Sequence, residues 1–170
     1  MRHVLAQDVE AQADTLLPLF QWFEATAIGT AIRNSIWAFP VVEAVHLVGL
    51  CLLGGALLIV DMRMLGVGLH GQRIATVARH ARPWLARGVG LMVVSGVLLF
   101  LSEAVKCYYN TSFWVKITTL PFALAFTFGV RERIARDESL DTSALTRAVG
   151  AASIALWLVV AAAGRWIGYS

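Results

Sequence analysis

Glu43 and His46 are the only acid and the only base in the apolar stretch from Ser35 to Val60. Three residues apart on a helix, they share a face, and the same stripe continues through Leu50, Gly54, Leu57 and Asp61. An ionisable group inside a bilayer costs several kcal/mol unless it is paired or wetted, so each one is a candidate site by default. At 1.5 Å per residue, Glu43 lies roughly 10 Å and His46 roughly 15 Å below the end of the stretch that begins at Ser35. Neutralising the carboxylate takes a cation from the same depth. Lys116 and Arg165 are the candidates, with Glu103, Lys106, Tyr108 and Tyr109 closing the same end of the bundle. The expectation is one polar, partly wetted pocket that opens outward, with Glu43 paired to Lys116 or Arg165. The competing reading has Lys106, Lys116 and Arg165 snorkelling to lipid headgroups.

Several chemistries use these residue types. A quinone site needs a lipid-accessible slot, hydrogen-bond donors for the carbonyls and a proton acceptor, which Glu43, His46, Tyr108 and Tyr109 supply. A b-type haem between facing helices is a second candidate. For His46, Met92 is then the one ligand type near its depth, because His70 and His80 fall at the opposite end and His3 in the N-terminal tail. Glu43 and His46 also match the Glu-x-x-His unit of di-iron bundles, but a second copy and two further carboxylates are missing. Copper prefers clustered histidine and methionine, and Met62 and Met64 are remote from His46. Asp61 and Arg63 read as a local ion pair or a headgroup contact. The sequence has no zinc-type Cys or His spacing, no phosphate-binding glycine loop and no Gly-x-Ser-x-Gly elbow. No metal site is expected, and the chain leaves open whether it is an enzyme.

The elements that position these residues follow from composition. Of 170 residues, 58% are apolar and only 15% charged, against about 45–50% and about 25% in soluble domains. The mean hydropathy of +0.70 is concentrated in dense blocks. Four of them are long enough to cross a hydrocarbon core about 30 Å thick: about 35–60, 84–105, 113–130 and 146–164. Residues 1–34 precede them, and 35–170 make an all-α integral membrane four-helix bundle. Leu16, Phe20, Phe23 and Ala27 recur at helical spacing, which predicts an amphipathic interfacial helix, or else one tucked against the bundle. Gln72 to His80 extends the second span if Pro83 is accommodated. Gly88, Met92 and Gly96, and Gly150, Ala151 and Ala155, predict close helix seams.

Charge sets the orientation. Nine basic residues lie in the first and third connections and five on the other side, so both termini are expected outside, in the periplasm of a bacterial inner membrane. Trp37, Phe113, Trp114, Trp166 and Tyr169 cluster at the outer ends, as an aromatic belt does. The net charge of +3 is explained by this topology, so nucleic acid is not an expected partner. Asp8, Glu10 and Asp14 interrupt any signal-peptide pattern in the first fourteen residues. Cys51 and Cys107 sit at different depths and make no disulfide framework.

The segments Val42 to Leu50, Asp61-Met62-Arg63-Met64-Leu65-Gly66, Tyr108-Tyr109-Asn110 with Phe113 and Lys116, and Ala163-Gly164-Arg165-Trp166-Ile167 resemble an uncharacterised family of bacterial inner-membrane proteins with four spans. The resemblance covers most of the chain from about Trp37 onward. It implies the bundle fold and the same charged positions, and it lends no activity. It also implies a histidine in relatives near the end of the third span, where this chain reads Phe126-Thr127-Phe128-Gly129. The functional expectation is a membrane subunit of a redox or respiratory assembly that takes quinone or docks a periplasmic or membrane partner. The alternatives are a non-catalytic structural or assembly protein, a b-type cytochrome and a copper-linked component.

Overall fold

Stretches this apolar leave no water for their backbone groups inside a bilayer, so each must satisfy them within a helix. A computed structural model describes residues 16–141 and 143–169 and has no strand among them. His3, Asp8, Glu10 and Asp14 lie outside the described residues. A helix over 16–24, α1, precedes α2 (Ala27–Asn34), α3 (Ala38–Met64), α4 (Ile74–Ser102), α5 (Ala104–Tyr109) and α6 (Thr111–Ala125). A π-helical segment (Phe126–Arg131) joins α6 to α7 (Glu132–Arg136), and α8 (Ala144–Trp166) completes the bundle. Four helices are long and apolar enough to span a membrane: Ala38–Met64, Ile74–Ser102, Thr111–Arg136 and Ala144–Tyr169.

Local chemistry sets the ends. The α3 helix stops in a Schellman turn, where the amide of Val67 donates to the carbonyl of Met62 and that of Gly66 to Arg63. Gly66 there has φ of 79°, a conformation that glycine adopts without strain. Asn110 caps α6 by accepting from the amides of Ser112 and Phe113, and Ser143 caps α8 by accepting from Thr146. The second span is longer than the hydropathic block that announced it, since α4 begins at Ile74 and runs through Pro83.

The α3/α4 seam is the most extensive contact. A Cβ on Gly88 would stand 2.6 Å from the Leu53 backbone nitrogen, and one on Gly49 would stand 3.2 Å from Met92 Cγ. On α8 the seam is Gly150, Ser153 and Val160, with Gly150 against Met64 and the Asp61 carbonyl. Ala151 and Ala155, expected in that seam, are exposed; the neighbour of Gly150 points about 100° away on the helix.

The α1 helix is tucked against the bundle by one face. Phe20 is buried among Phe100, Tyr108, Phe113 and Trp114, with ring centroids 5.2–6.3 Å away. Leu19 and Trp22 on the other face remain exposed, as an interfacial helix requires.

Candidate functional site

Two polar clusters occupy the two ends of the bundle. The first lies toward the end that carries α1 and Tyr169. His46 on α3 packs its ring on α4, where a Cβ at Gly96 would come within 3.3 Å of its Cε1. Its Nδ1 is 2.9 Å from Ser95 Oγ, and Ser95 Oγ in turn donates to the carbonyl of Leu91 at 2.5 Å. With its proton so used, the hydroxyl accepts, so Nδ1 carries hydrogen and Nε2 is left with a lone pair. Lys116 reaches in from α6 against Gly164, its Nζ 3.3 Å from where a Cβ would stand, within electrostatic range of His46 and Cys107. Lys116 makes no ion pair with any described residue. No described side-chain nitrogen or oxygen is both fully buried and unpartnered, so this half-buried ammonium reaches the molecular surface.

Around that centre, Glu103 and Lys106 form a local pair at 3.7 Å. The carboxylate of Glu24, on α1, accepts from the Val105 amide at 2.6 Å and pairs with Arg33 at 3.1 Å. Burial, followed by the charge of Glu103, pushes the Cys107 thiol up to about 11. The structure thus brings His46, Lys116, Glu103 and Lys106 into one region with Ser95, Cys107 and Glu24.

Other expected members are elsewhere. Glu43 is exposed and pairs with neither Lys116 nor Arg165. The reason is helical phase: α3 buries Gly49, Leu53 and Val60, and Leu53 lies about 80° round the helix from Glu43. Arg165 turns to the surface, where its guanidinium sits over the Tyr169 ring and donates to the Tyr169 hydroxyl. Tyr108 joins the Phe20 aromatic cluster, and Tyr109 is 70% exposed. Met92 does not face His46 across a gap, because it packs on Gly49 in the closed α3/α4 seam. A haem plane does not fit between those two residues.

The second cluster, at the arginine-rich end, was not foreseen. Asp61 pairs with Arg131 rather than Arg63. Its other oxygen accepts from Ser153 Oγ at 2.7 Å, and Arg131 Nη2 donates to the Leu57 carbonyl at 3.0 Å. Asp61 and Ser153 are 1% and 0% exposed, so three spans meet in a buried, hydrogen-bonded ion pair. The π-helical turn aims Thr127 and Arg131 inward together, and Thr127 accepts from the Trp157 indole at 2.9 Å. Such one-turn insertions re-aim side chains within a continuous helix. Arg63 instead donates to the carbonyl of Gln72 at 2.7 Å and stands 3.8 Å from Asp141.

Four apolar helices with ionisable groups turned inward define a multi-pass membrane protein built as an all-α bundle. Residues 19–170 match a family of unknown function, DUF6644, and the chain belongs to that family. No curated protein and no solved structure matches it.

Proposed function

We propose that this protein is a membrane subunit of a redox assembly that binds the head of a lipophilic quinone at the His46–Lys116 cluster. The reading rests on one observation: Lys116 is a half-buried ammonium with no acidic partner among the described residues, beside an imidazole whose Nε2 lone pair no described residue uses. Lys116 donates to a quinone oxygen, and Nε2 accepts the hydrogen of a quinol hydroxyl. Ser95 holds the imidazole in the tautomer this needs. The placement follows from charge: the nine basic residues of two connections face the cytoplasm, and the termini and the cluster face the periplasm of a bacterial inner membrane.

Gently solubilised protein is expected to release quinone on solvent extraction and to rebind a short-chain quinone. Lys116→Met and His46→Phe should each weaken binding by about tenfold or more, which corresponds to about 1.4 kcal/mol. Glu43→Gln should bind as wild type does. Wild-type affinity in Lys116→Met rejects the reading.

A second reading, a non-catalytic assembly subunit, is favoured by the Asp61–Arg131–Ser153 network, which joins three spans through buried hydrogen bonds. It predicts that quinone is absent and that loss of Arg131 lowers the amount of assembled complex.

A further inference from the structure

We propose that a groove between α3 and α4, at the arginine-rich half of the bundle, holds an acyl chain of an anionic phospholipid. The groove has a volume of about 510 Å³, inside the range of about 300–1,000 Å³ typical of sites for small lipophilic molecules. Its polarity is graded along the bundle axis. Toward the middle of the spans it is walled by Leu52, Gly55 and Trp84, and toward the helix ends by Gln72, Thr76 and His80. A lipid has the same gradient, with hydrocarbon at the bilayer centre and its phosphate at the surface.

The charge at the mouth selects the headgroup. His80 donates through Nδ1 to the Thr76 carbonyl at 2.8 Å, which leaves Nε2 for a ligand. Arg79, the residue before His80 in sequence, is not part of the groove wall; it is exposed and has no acidic partner among the described residues. The arginines of this end outnumber its acids, and basic recesses between spans attract anionic headgroups. Leu69, which also lines the groove, is held at φ of 48°, a left-handed conformation that costs a leucine strain and is retained where its surroundings hold it.

Glycine chemistry provides the test. A Cβ on Gly55 meets nothing within 4 Å and points into the groove; Gly54 is equally open but does not line it. Purified protein in neutral detergent is mixed with equal amounts of phosphatidylglycerol and phosphatidylcholine carrying the same chains, and bound lipid is counted by native mass spectrometry. Wild type is expected to retain one phosphatidylglycerol at collision energies that strip phosphatidylcholine. Gly55→Phe should cut the retained fraction at least tenfold, Gly54→Phe should leave it unchanged, and Arg79→Gln should remove the preference for phosphatidylglycerol. Undiminished retention in Gly55→Phe, or equal retention of the two lipids by wild type, overturns the proposal. His46 and Lys116 lie at the other end of the bundle, so failure here leaves the quinone reading standing.

Discussion

At the scale of single residues, the Asp61–Arg131 pair carries the largest stake. Removing one partner of a buried ion pair strands the other charge and costs about 3–5 kcal/mol, whereas replacing both with apolar groups of similar size is often neutral. Arg131→Met is therefore expected to lower the midpoint of thermal unfolding in detergent strongly. The double variant Asp61→Leu/Arg131→Met should recover most of that loss, and unfolding of the three proteins side by side measures it. Cys107 offers a pH readout. Its thiol titrates near 11 rather than near 9, and the thiolate is the reactive form. In a Cys51→Ser background, maleimide labelling of the folded protein at pH 8 should run about a hundredfold slower than after denaturation and should quicken about tenfold per pH unit up to pH 10.

His46 and Lys116 were both named for one cluster because depth follows from residue count along a helix, but the partner expected for Lys116 was Glu43 or else the headgroups, not the imidazole. The direction of Glu43 was not legible, because a stripe four residues wide predicts a face only if the seam runs parallel to the helix axis. On α3 the seam drifts: Leu57 and Asp61 at the lower end of the stripe are buried, and Glu43 and Leu50 at the upper end are exposed. The link from Asp61 to Arg131 spans 70 positions, and its one clue was a serine, Ser153, within an apolar helix. Arg131 itself was hidden by the π-helical turn, which shifts its phase relative to a regular helix.

At the scale of elements, small residues decide which helices touch. Gly88 admits no Cβ without displacing the backbone of Leu53, so Gly88→Ala should force α3 and α4 apart at a cost of about 1–3 kcal/mol. Gly90, two positions on, has nothing within 4 Å of a Cβ. Gly90→Ala should be neutral or stabilising by about 0.5–1 kcal/mol through helix propensity. Unfolding curves of the two variants separate packing from propensity. The four spans were legible from hydropathy because a bilayer demands long apolar helices. The start of α4 was legible only as the helix-compatible run from Gln72 to His80, since its polar turns lie beyond the apolar block and are held by contacts such as the Ile74 amide donating to Asp141 at 3.1 Å.

At the scale of the whole molecule, the bundle has a polar cluster at each end and arginines gathered at one. If the expected orientation holds, reporters that work only outside the cytoplasm are active when fused after Tyr169 and inactive when fused in the connection between α3 and α4. The reverse pattern would put the His46–Lys116 cluster on the cytoplasmic side. Architecture of this kind follows from composition and charge, whereas the ligand depends on contacts between distant segments.

The ion pair at the arginine-rich end also bears on biosynthesis. Asp61 emerges from the ribosome 70 residues before the guanidinium that pairs with it, so the first hairpin is made before that partner exists. A chain cut after Asn110 keeps that acid and lacks its counterpart, so the full bonding of the first two spans waits on arrival of the third.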